Sequence, residues 1–222
     1  VSFSKPCIVV CKKNLPVPLS ITPQLDTFQQ QLNSVQLSAA RQEHLQTIAA
    51  SLSEQLALHD ALQLVWVCNH NSRRSQLAEA WSSVFLANWP GLSIASAGET
   101  RTQPHPAAVR ALQESGFIIK SHQHRHLVST GAQSFMLRSK TLAQLPPHAH
   151  RFVISVCTAS DSDCPLVDNA VARFSLPFDD PKHADGTPEE AATYAQTNAE
   201  IARSVQLLEA KLTALQAAST AT

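Results

Sequence analysis

The sequence predicts an α/β protein in which helices cover both faces of a parallel four-stranded sheet, preceded by a helical extension. From residue 62 onwards, short apolar runs typical of buried strands alternate with helical patterns. This alternation is the mark of βα units, whose strands join in one parallel sheet. We therefore expect an N-terminal extension with a helical hairpin over residues 1–61 and an α/β domain over residues 62–222.

The extension is predicted to hold two helices. Thr22 and Pro23 fit an N-cap followed by proline at the first helical position. Apolar side chains then recur at helical spacing, first at Leu25, Phe28, Leu32 and Val35, and then within a second helix over 38–59, at Leu45, Ile48, Leu52 and Leu56. We expect these helices to pack on the core as a hairpin, with a separate binding module as the alternative.

The α/β domain is predicted element by element from residue 62. The expected strands cover 62–67, 92–97, 151–157 and 171–176, and the expected helices cover 75–87, 106–115 and 189–217. Residues 127–150 are poorly periodic, and we expect an extra edge strand near 134–140. In such sheets ligands bind at the carboxyl ends of the strands, which is where Cys68 and Cys157 both fall.

The composition excludes several classes of function. The 17 basic and 17 acidic residues cancel, so no nucleic-acid or membrane partner is expected. No apolar stretch is long enough to span a bilayer, and the first residues lack the charged region of a signal peptide. The five cysteines are an odd and sparse set, which does not fit a secreted disulfide framework. A cytoplasmic protein is therefore predicted.

A polar loop from Cys68 to Ser75 connects the first strand to its helix, so it lies at a helix N-terminus. Free backbone N–H groups and the positive dipole end bind oxyanions there, and the same field favours a thiolate. Arg74 is suited to hold two oxyanion oxygens with its planar fork. The loop therefore predicts a thiol nucleophile directed at a tetrahedral oxyanion, although a lone cysteine after a strand can also be a small core residue. The expected oxyanion-binding residues are Asn69, His70, Asn71, Ser72, Arg73, Arg74 and Ser75.

Three further features lie near the predicted strand ends. Asp180 precedes Pro181 after the last strand and is a candidate general acid, while Asp-Pro alone is mostly a turn signal. Cys157 and Cys164 are seven residues apart, too far for a thioredoxin-like pair and without a matching zinc half-site. Histidines alternate over 122–126, and a polar surface loop is favoured there over a metal site. No metal and no cofactor is predicted.

Together these residues resemble the low-molecular-weight protein tyrosine phosphatase superfamily, and within it the thioredoxin-coupled arsenate reductases. The resemblance covers about residues 62–215 and includes Cys68…Arg74-Ser75, Ser96-Ala97-Gly98, the helix from Pro106 to Gly116, Ser121-His122 and Asp180-Pro181. It implies that Cys68 is the nucleophile, Arg74 the oxyanion clamp and Asp180 the general acid. It further implies that Ser75 hydrogen-bonds the nucleophile and that Asn71 takes the left-handed backbone of a tight loop.

The reductase branch carries two redox cysteines after a later strand, and Cys157 and Cys164-Pro165 are similar to that pair. The resemblance implies a thiol relay through Cys68, Cys157 and Cys164, with an arsenate- or phosphate-type oxyanion as substrate and thioredoxin as reductant. A phosphatase acting through a Cys68 phosphoenzyme is the alternative, and an inactive oxyanion sensor is a third reading. His70 and Arg73 depart from the family, because small residues are usual at these loop positions.

Overall fold

The computed structural model describes residues 21–158 and 167–220. Within these ranges the strands are β1 (Leu62–Cys68), β2 (Leu92–Gly98), β3 (Ile118–His122), β4 (Arg125–Ser129), β5 (Ser134–Arg138), β6 (Arg151–Ser155) and β7 (Ala170–Ser175). The α-helices are α1 (Pro23–Gln31), α2 (Ala39–Leu58), α3 (Arg74–Phe85), α4 (Pro106–Glu114) and α5 (Glu190–Thr220). The predicted α/β class is confirmed.

A four-stranded parallel sheet in the order β2-β1-β6-β7 forms the centre of the fold. All seven residues of β1 are buried, as expected for a strand with a partner on each side and cover on both faces. The register pairs Cys68 with Gly98 on β2, and Val67 with Ser155 on β6. The central strand therefore delivers Cys68 to the carboxyl edge of the sheet, between the ends of its two neighbours.

Side chains that alternate along the strands separate two buried clusters. The larger cluster joins Leu64 and Trp66 of β1 to residues from all five α-helices. The smaller cluster joins Val65 and Val67 to Leu145 and Val167, next to a short 3₁₀ helix over Leu142–Gln144. The sheet thus carries α-helices on one face and the 3₁₀ helix on the other, so the predicted cover on both faces is confirmed.

The two N-terminal helices begin where the sequence predicts. Thr22 caps α1 and Ser38 caps α2, each hydroxyl accepting a backbone N–H of the first turn. The Thr22 hydroxyl also donates to the Gly116 carbonyl (2.7 Å), and a Cβ at Gly116 would lie 2.3 Å from the Leu25 nitrogen. Gly116, at a φ of 101°, therefore permits α1 to sit against the turn after α4.

The segment that follows α4 differs from the prediction. Ser134–Arg138 is the expected edge strand, but the sheet whose edge it forms is a separate antiparallel one with β3 and β4, which the sequence did not predict. Ser121 and His122 lie in β3, and the histidine-rich run, expected as a polar surface loop, forms the hairpin between β3 and β4. The reason is that His126 is buried, with Nδ1 2.8 Å from the Ser121 hydroxyl, so polar residues here pair across strands.

The longest helix of the described residues, α5, has 31 residues and packs on the face of the sheet that carries the other α-helices. It supplies Ile201, Val205, Leu208 and Leu212 to the core. Neither α5 nor any other helix in the described part of the chain is long and apolar enough to cross a membrane.

Candidate active site

The loop between β1 and α3 has the predicted position, at the N-terminus of a helix and the carboxyl edge of the sheet. Cys68 ends β1 and is 5% exposed, and α3 begins at Arg74. The Cys68 Sγ atom lies 3.0 Å from the Ser75 hydroxyl oxygen. A hydroxyl at this distance is able to donate to a thiolate, and the helix dipole adds to that stabilisation.

Asn71 gives the loop its shape. Its φ of 45° is left-handed, a conformation that asparagine tolerates better than most residues. Its amide nitrogen donates to the hydroxyls of Ser75 (2.9 Å) and Ser96 (2.7 Å), and its amide oxygen accepts from the Lys140 backbone (2.7 Å). A Cβ at Gly98 would come within 2.7 Å of the Asn71 nitrogen, so glycine is needed where β2 passes the loop.

A buried ion pair supports Asn71 from below. The Lys140 ammonium lies 3.1 Å from both Glu79 carboxylate oxygens, and the Ser96 hydroxyl donates to the same carboxylate. Burial raises the pKa of Glu79, and the Lys140 charge opposes that rise. Removing either partner would leave an uncompensated buried charge, which typically costs about 3–5 kcal/mol. The two residues are 61 positions apart in the sequence, and no local pattern around either of them predicts the pair.

Arg74 and Asp180, which were predicted to act together, lie in direct contact. One Arg74 nitrogen donates to the Asp180 carboxylate (2.7 Å), and the other donates to the carbonyls of Phe178 (2.8 Å) and Val156 (3.3 Å). The second Asp180 oxygen accepts from the Lys182 backbone N–H at 3.1 Å. The loop after β7 therefore brings an acidic side chain to the nucleophile loop.

These residues surround one small pocket with a volume of about 100 Å³, lined by Cys68, Asn69, His70, Ser72, Arg73, Arg74, Asp180 and Lys182. Asn71 and Ser75 are fully buried and support the loop from below instead of lining the pocket. Lys182 was not predicted, and its only sequence signal is its place two residues after Asp180. Three cations and one carboxylate give the pocket the charge that an oxyanion requires.

Of the two candidate redox cysteines, the structure describes Cys157 but not Cys164. Cys157 is buried just after β6 and shares the main core cluster with Cys68. Cys164 falls within 159–166, outside the described residues. Among the residues that are described, no group of three or more His, Cys, Asp or Glu side chains is arranged to hold a metal ion.

Arg73 has partners that the sequence did not reveal. Its Nε atom donates to the Tyr194 hydroxyl (2.6 Å), its terminal nitrogen pairs with Asp185 (2.5 Å), and the Tyr194 hydroxyl donates to Asp185 (2.7 Å). Burial alone raises the pKa of Asp185, but the Tyr194 hydrogen bond and the Arg73 charge outweigh it and hold the pKa below its usual value. Asp185 is therefore ionised throughout the neutral range.

His105 extends this group and makes the protein's stability depend on pH. Its ring stacks on Tyr194 at 5.3 Å, and its Nδ1 atom accepts the Ala107 N–H (3.3 Å) as the N-cap of α4. Burial first, and then the Arg73 charge, lower the pKa of His105 below its usual value. The unfolded chain therefore binds a proton before the folded protein does, and stability falls as the pH drops from about 6.5 through the folded-state pKa.

We expect a His105→Asn variant, which keeps a capping acceptor but cannot be protonated, to lose less stability between pH 7.5 and pH 5 than the parent. Urea unfolding midpoints at a series of pH values measure this. His126, whose pKa burial also lowers, leaves a residual slope in both proteins. Identical pH slopes for the two proteins would contradict the assignment to His105.

The chain is similar in sequence to arsenate reductases of known bacteria. No protein-family model matches the sequence. The arsenate reductase of Bacillus subtilis is 31% identical over 134 residues, covering 60% of this chain and 84% of the relative. The arsenate reductase of Brevibacillus brevis is 33% identical over 119 residues, covering 53% and 75%. A solved arsenate reductase structure from Archaeoglobus fulgidus is 22% identical, covers 66% of this chain and 98% of its own, and has a TM-score of 0.44.

The chain therefore belongs to the arsenate reductase family and is an enzyme.

Proposed function

We propose that this enzyme reduces arsenate through a Cys68 nucleophile and a relay of three cysteines. The observation that carries the proposal is the convergence of Cys68, Arg74 and Asp180 on one small cationic pocket, with Cys157 at the end of the adjacent strand. The names of the relatives above point to the same reaction.

In the first step, arsenate binds to the loop N–H groups at the start of α3 and to the fork of Arg74. The Cys68 thiolate attacks arsenic, an arsenic–oxygen bond breaks, and the leaving oxygen takes a proton from Asp180 and departs as water. The Ser75 hydroxyl, 3.0 Å from Sγ, favours the thiolate before the attack. Arg74, which pairs with Asp180 at 2.7 Å, turns part of its fork to the oxyanion.

In the second step, the Cys157 thiolate attacks Cys68 Sγ. The sulfur–arsenic bond breaks and its electron pair stays on arsenic, so As(V) becomes As(III), arsenite leaves, and a Cys68–Cys157 disulfide forms. The pairing of β1 with β6 supports this step, because the Val156 N–H donates to the Val67 carbonyl (2.9 Å). Val67 pairs with Ser155, so Cys157 lies one residue beyond the position level with Cys68. With strands about 4.8 Å apart and a rise of about 3.3 Å per residue, the two Cα atoms lie roughly 6 Å apart, within the roughly 4.4–6.8 Å that disulfides need.

In the third step, Cys164 attacks Cys157, which releases the Cys68 thiolate and leaves a Cys157–Cys164 disulfide. A dithiol reductant of the thioredoxin class then reduces that bridge by thiol–disulfide exchange. This step rests on the sequence, since Cys164 lies outside the described residues. We place the reaction in the cytoplasm, where thiols are kept reduced.

Hydrolysis of phosphomonoesters is the second candidate, because Asp180 lines the pocket beside Cys68 and is placed to protonate a leaving alcohol. Within the described ranges no Phe, Tyr or Trp lines that pocket. Tyr194, the only tyrosine of the chain, is 1% exposed and is engaged by Arg73. The described walls therefore favour inorganic oxyanions and small esters over phosphotyrosine.

The test measures arsenite production and phosphate release from p-nitrophenyl phosphate side by side, with and without thioredoxin and its reductase. We expect many turnovers of arsenate only with the thioredoxin system, and about one turnover without it. Phosphate release should not depend on that system. Phosphate release without any arsenite would make the protein a hydrolase. If neither arsenite nor phosphate formed, the protein would be an oxyanion-binding protein and not an enzyme of either kind.

A further inference from the structure

Two adjacent arginines of the nucleophile loop pair with two aspartates of the loop after β7. We call residues 179–187, which make up that second loop, the acid loop. Arg74 pairs with Asp180 (2.7 Å), and Arg73 pairs with Asp185 (2.5 Å). The same two loops are thus joined at two points, five residues apart on the acid loop.

The two pairs differ in their relation to the pocket. Arg74 and Asp180 both line the pocket. In the proposed reaction Arg74 binds the oxyanion and Asp180 protonates its leaving oxygen, so the ion pair between these two residues has to open. Asp185 does not line the pocket. It accepts from both Arg73 and the Tyr194 hydroxyl, and His105 Nε2 lies 3.6 Å away. The Arg73–Asp185 pair is therefore able to persist while the Arg74–Asp180 pair is broken.

The acid loop is short and stiff enough to transmit this restraint. A 3₁₀ helix over Pro181–Ala184 begins at Asp180, whose carboxylate accepts the Lys182 N–H (3.1 Å), and ends at Asp185, whose N–H donates to the Lys182 carbonyl (3.1 Å). The first and last residues of this 3₁₀ helix, Pro181 and Ala184, are buried. Fixing Asp185 consequently limits where Asp180 can be.

We propose that Arg73, Asp185 and Tyr194 form an anchor that holds the acid loop over the pocket once an oxyanion has separated Arg74 from Asp180. The proposal rests on the proposed function, in which Asp180 is the general acid. Asp185 and Tyr194 are positioning residues, because they act through Asp180 and do not touch the pocket. A general acid needs its oxygen within about 2.6–3.2 Å of the leaving atom, so a loosened acid loop slows the steps that need a proton.

The test compares Asp185→Asn and Tyr194→Phe with the parent on two esters that differ in leaving group, p-nitrophenyl phosphate and phenyl phosphate. Lys211→Met is the matched control, because it removes an exposed hydrogen bond from α5 to Gln46 of α2 (3.0 Å) and touches no residue of the acid loop. We expect Asp185→Asn to lower kcat for phenyl phosphate by roughly tenfold, and for p-nitrophenyl phosphate by much less, since a good leaving group needs no proton. Tyr194→Phe should show the same pattern with a smaller loss, and Lys211→Met should leave kcat for both esters unchanged.

A combined variant separates positioning from general structural damage. With Asp180→Asn in place, the added Asp185→Asn change should cost little more, because the acid that it positions is already gone. Equal losses on both esters, or a full additional loss in the Asp180→Asn background, would overturn the anchor while leaving the nucleophile and acid assignments intact. Unchanged kinetics would overturn it as well.

Hydrogen exchange gives a readout that needs no turnover. Backbone amides of the acid loop should exchange faster in Asp185→Asn and Tyr194→Phe than in Lys211→Met, and the difference should grow when inorganic phosphate is added. If the parent hydrolysed neither ester, the hydrolytic part of the proposed function would fail, and exchange would decide the anchor alone. Exchange equal to the control would then refute it.

Discussion

The Cys68→Ser variant is expected to lose arsenite production and phosphate release together, each by at least about a thousandfold. A serine hydroxyl is hardly ionised at neutral pH, so the first attack on either oxyanion is lost. The fold should survive, because serine is nearly isosteric with cysteine. The new hydroxyl would also keep a hydrogen-bond partner, since Cys68 Sγ lies 3.0 Å from the Ser75 hydroxyl oxygen.

Activity assays together with thermal unfolding check this expectation. Cys11→Ser is the matched control, since the proposal gives that cysteine no role, and it should retain both activities. An unchanged unfolding midpoint with both activities lost would assign the nucleophile. Retention of more than about a tenth of either activity would remove Cys68 from that role.

Cys157→Ser and Cys164→Ser are expected to stop multiple turnovers of arsenate with thioredoxin, and to leave ester hydrolysis largely unchanged. The reason is that the pocket with Cys68, Arg74 and Asp180 is sufficient for hydrolysis, whereas each turnover of reduction must remove one disulfide from the nucleophile. The Cys164→Ser variant should accumulate the Cys68–Cys157 disulfide after a single turnover.

Mass spectrometry of arsenate-treated protein distinguishes the intermediates. The parent should yield both the Cys68–Cys157 and the Cys157–Cys164 bridges, and the Cys164→Ser variant only the first. If neither bridge formed and both serine variants reduced arsenate like the parent, the relay would be wrong and hydrolysis would become the leading function.

Local signals predicted much of the fold and the centre of the site. Helix α2 runs from Ala39 to Leu58, close to the 38–59 that its apolar stripe predicts. Cys68 follows a buried strand and precedes a helix, so its position at the sheet edge could be read from pattern alone. Arg74 was expected in the loop just before a helix over 75–87, and it is the first residue of α3.

Contacts between distant parts of the chain could not be predicted in this way. Arg73 and Asp185 are 112 residues apart, and each is an ordinary polar residue in its own surroundings. The strand Ser134–Arg138 was expected at an edge, but its antiparallel sheet was not, because five residues of mixed polarity do not reveal their partner. Tyr194 lies on a regular turn of α5, and nothing in the sequence indicates that its hydroxyl meets Arg73.

The ion pair beneath the nucleophile loop has a consequence for redesign of this enzyme. Glu79 and Lys140 are 61 residues apart and belong to different segments, yet together they carry no net charge in a closed, water-poor space. A library that varies one of these positions alone will mostly return unfolded or inactive clones. Only paired exchanges, such as Glu79→Gln with Lys140→Met, keep the charge balanced, so the two positions have to be randomised as one unit.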